Sequence, residues 1–150
     1  MREFFLAGFE DLIPPSPGGA YVSVNVRNET AFVAIQFPIK GDQFLYQGRL
    51  GEDLSTEEGY LAAQLCAANV MAQLKKYVGL EKVMGLNHLD VYYQQASGWD
   101  DAPLVADGAS QLFLKVLGEK GQHSRALIGA QSLPRNFCVG VVSSFALKRS

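Results

Sequence analysis

The segment Phe137–Leu147 constrains the fold more than any other part of the chain. Phe137, Val139 and Val141 alternate with Cys138, Gly140 and Val142. An extended strand places alternate side chains on opposite faces, so both faces here are apolar or small. One layer of helices covers a single face. The second face therefore needs further cover, and the sequence predicts another subunit there, with the chain's own N-terminal leader as the alternative.

The other elements fit a two-layer α+β sandwich with a mostly antiparallel sheet. Residues 1–18 read as a leader or loop, because Pro14-Pro15-Ser16-Pro17-Gly18 removes amide donors and fixes φ. From Tyr21, Val22, Val24 and Val26 alternate with Ser23 and Asn25, which predicts a strand. Thr30–Phe37 predicts a second strand and Phe44–Tyr46 a third. Ser55 followed by Glu58 forms a capping box, and Leu61, Leu65, Ala68 and Ala72 run on at helical spacing to Gly79. Val83–Gln95 alternates as a strand. Asp101 offers a cap to a second helix, marked by Val105, Ala109, Leu112, Phe113 and Val116. Ala126–Gln131 and Phe137–Leu147 close the list as strands. The order βββ-α-β-α-ββ suits a sheet with both helices on one face. The 150 residues make one domain.

Composition narrows the chemistry. Thirteen Lys and Arg against fifteen Asp and Glu give a net charge of −2, without the basic excess that nucleic-acid binding shows. Cys66 and Cys138 read as buried, reduced thiols, too far apart in sequence for a metal motif. With only His88 and His123 besides, no metal site and no cofactor are expected. No uncharged apolar run spans a bilayer, and Met1–Leu6 lacks the form of a signal peptide, so the expected location is the cytoplasm. Glu57-Glu58 reads as helix-start acids, Trp99 as a loop anchor and His88 as a structural histidine. Arg125 opens an otherwise apolar strand. Its guanidinium suits a carboxylate, either a ligand's or one from the same chain.

The blocks Gly48-Arg49-Leu50-Gly51, Glu58-Gly59-Tyr60-Leu61-Ala62-Ala63 with Asn69, Asp107-Gly108-Ala109-Ser110 and His123-Ser124-Arg125-Ala126 through Gly129 to Leu133-Pro134 together resemble the RidA family, also called YjgF or L-PSP. The resemblance covers Gly19 to Leu147. It implies a chorismate-mutase-like α+β fold and a homotrimer with ligand clefts between subunits. It also implies an activity, the hydrolysis of reactive enamines and imines to 2-keto acids, while some relatives carry the label endoribonuclease.

Carried over by position without a gap, the family's substrate-gripping Arg falls on Arg125 and its first-strand Tyr on Tyr21. The Ser and Gly of its T-S-G-Q stretch fall on Ala34 and Ile35, with Gln36 retained. Its Cys falls on Leu127, and its catalytic Glu on Gly140. Imine hydrolysis needs an activated water, and a positioned carboxylate typically contributes about 10²–10⁴-fold. Gly140 offers none. The expected site is thus Arg125, Tyr21, Gln36, Ala34, Gly140 and Leu127, holding a small carboxylate in a cleft enlarged at Gly140. Three alternatives stand beside it. One is a hydrolase or deaminase with another base, for which Glu119, His123 or Asp107 are candidates. Another is RNA cleavage, and the last a regulatory subunit without a ligand.

Overall fold

In the computed structural model, residues 11–149 are described. A five-stranded sheet is built from β1 (Val24–Arg27), β2 (Thr30–Gln36), β5 (Val83–Tyr93), β6 (Ser124–Gly129) and β7 (Val139–Leu147), in the order β1-β2-β7-β5-β6. β3 (Ile39–Lys40) and β4 (Gln43–Phe44) form a separate small hairpin. Two helices, α1 (Thr56–Tyr77) and α2 (Ala102–Leu117), lie against the sheet. β5 and β6 are parallel, as the α2 crossover between them requires, and the other pairs are antiparallel.

α1 starts where the sequence predicts. Ser55 Oγ accepts from the Glu58 amide at 3.1 Å, and the Glu58 carboxylate accepts from the Ser55 amide at 2.9 Å, closing the capping box. One core joins Cys66, Val70 and Met71 of α1, Ala109 and Phe113 of α2, and Val33, Leu89, Val141 and Phe145 of the sheet. The helices approach closely because their contact is made by glycines. A Cβ on Gly108 would stand 2.0 Å from the Tyr60 carbonyl oxygen, and one on Gly59 would meet Val105 at 2.7 Å. Gly108 thus lies inside α2, at the closest approach of the two helices.

Other expectations shift. The first strand begins at Val24, and Tyr21 and Val22 precede it with half or more of their surface exposed. The third strand shortens to the β3–β4 hairpin. Asp101 sits at the start of α2 without capping it, because its carboxylate accepts from Thr56 Oγ1 at 3.0 Å. Trp99 anchors its loop by donating to that same hydroxyl at 2.9 Å. Both cysteines are free and fully buried. The apolar start Met1–Leu6 lies outside the described residues. Within them, no helix is long and apolar enough to cross a membrane.

Among the described residues, no helix covers the second sheet face. Phe32 is half exposed there, and Ile35, Tyr92, Ile128 and Val142 are partly so. The described part of the leader reaches one end of this face, where Pro15, Ser16 and Pro17 line a hollow with Ile35 and Tyr92. It runs over the end of α1, where Pro15 O accepts from Gln73 Nε2 at 2.8 Å.

Candidate functional site

A cavity of about 640 Å³ opens where the leader, the β3–β4 hairpin and the C-terminal end of β2 meet. Its size lies within the range of small-molecule sites. Its walls are aromatic. Phe37 stacks on Phe137 with ring centroids 5.0 Å apart, and Phe44 meets Phe137 edge-on at 5.3 Å. Tyr21 and Tyr92 complete the wall, and Ser23 and Gln36 add polar groups. Gln36 is held by Gln73, whose amide donates to Gln36 Oε1 at 3.1 Å. Tyr21 curls back on the leader, where its hydroxyl accepts from the Gly18 amide at 3.0 Å.

Arg135 supplies the cation of this cavity, with its guanidinium carbon 5.6 Å from the Phe44 ring centre. It stands on a strained turn. Arg135 and Asn136 have φ of 56° and 60°, the left-handed region, which costs of order 1 kcal/mol or more for such residues. The buried Gln94 holds the turn in place. Its Oε1 accepts from the Leu133 amide at 2.7 Å. Its Nε2 donates to Asn136 Oδ1 at 2.8 Å and Gly48 O at 2.9 Å. Sequence reasoning used Leu133-Pro134 in the family resemblance and passed over Arg135. The available signal was a lone cation between Pro134 and Asn136, in a turn that follows an apolar strand.

The residues expected to form the site do not all meet within one protomer. Tyr21 and Gln36 line the cavity. Ala34 lies beside it in the bulge that interrupts the β2–β7 register between Val33 and Gln36, and its carbonyl accepts from Gln36 Nε2 at 3.0 Å. Gly140 faces the uncovered side of the sheet, beneath Phe37 and Ile35, where a Cβ would stand 2.7 and 2.9 Å from their side chains. The space expected at Gly140 is therefore filled, and the cavity opens beyond Phe37. Arg125 and Leu127 point the opposite way. They pair with Leu89 and Val91, both buried on the helix side, whereas Gly140 pairs with Tyr92 and Tyr92 with Ile128.

Arg125 is also occupied within its own chain. Its Nη1 donates to Asp107 Oδ1 at 2.8 Å and to Ser110 Oγ at 3.0 Å, both on α2. The network continues to His123. Nδ1 lies 2.6 Å from the Gly121 carbonyl, so it carries the proton, and Nε2 accepts from the Ser110 hydroxyl at 2.9 Å. A second hollow, between α2 and the start of α1, is lined by Glu57 and Asp107 and so disfavours an anion.

A two-layer α+β sandwich with one covered and one open sheet face is the architecture of the chorismate-mutase-like class. Within it, the chain matches, over residues 7–147, the family described as "YjgF/chorismate_mutase-like, putative endoribonuclease", and it belongs to that family. It is 33% identical to protein TCP17 of Trypanosoma cruzi over 84% of this chain and 80% of that protein. A Shewanella oneidensis structure described as a "putative endoribonuclease" superposes with a TM-score of 0.88 at 30% identity, covering 98% of this chain and 99% of the other. The Agrobacterium tumefaciens protein Atu1372 does so with a TM-score of 0.86 at 29% identity, over 99% and 96%.

Proposed function

We propose that this protein binds a small carboxylate, of the keto-acid or imino-acid type, at clefts between the subunits of a homotrimer, without the glutamate-dependent deaminase chemistry of its relatives. The observation that carries the reading is the aromatic cavity with Arg135 at its rim. A guanidinium suits a carboxylate, and the Phe37–Phe137–Phe44 cluster suits an apolar tail. Gly140 provides no proton-transfer group, and Phe37 blocks the approach to it. The open sheet face, with Phe32 at its surface, is the area a trimer would bury. A subunit contact is also the way Arg125 of one copy could share a cleft with Tyr21 of another.

A hydrolase using a different base has one observation in its favour, Asp107 at 2.8 Å from Arg125 with His123 linked through Ser110. RNA cleavage draws support from the family name alone, against a net charge of −2.

The test combines light scattering, for the trimer, with titration calorimetry of pyruvate, 2-oxobutanoate and phenylpyruvate. The expected result is a trimer that binds phenylpyruvate most tightly and consumes freshly generated 2-aminoacrylate at the uncatalysed rate. Turnover above that rate would overturn the non-catalytic reading. Absence of binding for all three acids would overturn the ligand class.

A further inference from the structure

The aromatic cavity has a polar end, built around Ala34. Ser23, just before β1, accepts the Ala34 amide on its carbonyl at 2.9 Å, and the Ala34 carbonyl accepts from Gln36 Nε2 at 3.0 Å. Both side chains line the cavity and are nine-tenths or more buried, with Ser23 at 4% exposure and Gln36 at 5%. The Gln36 amide is fixed in orientation, because Gln73 Nε2 donates to its Oε1 while its own Nε2 meets a carbonyl. A primary amide has two N–H donors, so one N–H of Gln36 is left over. The Ser23 hydroxyl makes no hydrogen bond to a described residue. A buried hydroxyl without a partner is costly, and the cavity is the space from which a partner can come. Phe37 follows Gln36 and Phe137 stands two residues after Arg135, so their stacked rings join the polar end to the cation. Among the described residues that line the cavity, Arg135 alone is charged.

We propose that the ligand is an aromatic keto acid whose tail ends in a neutral hydroxyl group, a 4-hydroxyphenyl acid, and that Ser23 and Gln36 are the residues that select it. The inference rests on the carboxylate reading above and adds the chemistry of the tail. A phenol has one O–H to donate to Ser23 Oγ and a lone pair to accept from Gln36 Nε2, so it matches a free hydroxyl beside a free N–H. A plain phenyl tail leaves both groups to a trapped water or to no partner. The ligand carboxylate takes the charge of Arg135, so a second ionised group on the tail would be buried without a counter-charge. The tail group is therefore polar and uncharged.

Titration calorimetry on the full chain compares phenylpyruvate, 4-hydroxyphenylpyruvate and 4-methylphenylpyruvate, the last matched in size but without the hydroxyl. The wild type is expected to bind the 4-hydroxy acid roughly 10-fold more tightly than either of the others. That preference should vanish in Ser23→Ala and persist in Ser23→Thr, which keeps a hydroxyl. Circular dichroism and light scattering establish that each variant is folded and assembled as the wild type is. Equal affinities for the three acids in the wild type, or an undiminished preference in folded Ser23→Ala, overturn this inference and leave the carboxylate reading standing. Failure of all three acids to bind overturns that reading and this inference with it. The wild-type comparison decides by itself if Ser23→Ala does not fold.

Discussion

Phe37 lies over Gly140 so closely that a Cβ on the glycine would stand 2.7 Å from Phe37 Cε1. The position onto which the family resemblance carries a catalytic carboxylate is thus closed by an aromatic side chain that also walls the cavity. Restoring the carboxylate alone cannot restore the reaction. Gly140→Glu is expected to displace Phe37 and Ile35, to lower stability by about 1–3 kcal/mol as overpacking does, and to leave 2-aminoacrylate hydrolysis at background. Denaturant titration and a coupled assay read the two effects. A stable variant with new turnover would show that Phe37 moves aside freely.

Gly108→Ala sets helix propensity against packing. Alanine favours a helix interior by about 1 kcal/mol over glycine. At Gly108 its methyl group would stand 2.0 Å from the Tyr60 carbonyl oxygen, a backbone atom of α1 that no rotamer change can move. Packing wins, and thermal denaturation should show a net loss of about 1–3 kcal/mol or more. An unchanged or raised Tm would mean that the helices separate at little cost.

Arg135 and Arg125 should separate in ligand binding. Losing a charge-assisted hydrogen bond costs about 1.5–3 kcal/mol, so Arg135→Ala should weaken carboxylate binding by roughly 10–100-fold and shrink the ligand-induced rise in Tm accordingly. Arg125→Ala breaks a partly exposed pair with Asp107, an interaction worth about 0–1 kcal/mol. The protein should stay folded and keep its carboxylate response. Loss of that response in folded Arg125→Ala, with Arg135→Ala unaffected, would place the anion at Arg125 across a subunit contact.

Stability should fall at alkaline pH through the buried thiols. Burial pushes the Cys138 thiol up to about 12 from an ordinary 9.0, and burial beside Cys138 pushes Cys66 well up too. The folded state keeps these protons after the unfolded chain has released them. Their contribution is therefore complete below pH 9 and is lost as pH rises towards 12, at about 1.4 kcal/mol per pH unit for each thiol. Urea midpoints between pH 8 and 11 should fall less steeply in Cys138→Ala than in the wild type. Equal slopes would mean that Cys138 ionises in the folded state as readily as in the unfolded one.

Local chemistry was legible in the sequence. The Ser55–Glu58 capping box, the apolar stripe of α1 and the two-sided apolar pattern of β7 each follow from neighbours within a few residues, so the α+β order and the open second face could be read directly. Family resemblance added the fold class. The site was less legible, because strand side chains alternate. Position counting alone set Arg125 and Gly140 in one cleft, and only the register between β6, β5 and β7 shows them on opposite faces. Likewise, nothing near Arg135 in the chain announces that Gln94, far upstream, holds its turn against the aromatic walls. Nor does sequence spacing join Ser23 to Gln36, which both meet the backbone of Ala34. Capping and periodicity depend on short-range geometry and are written in the chain. Which face a side chain takes, and which distant group meets it there, depends on pairing register, and tertiary packing fixes that.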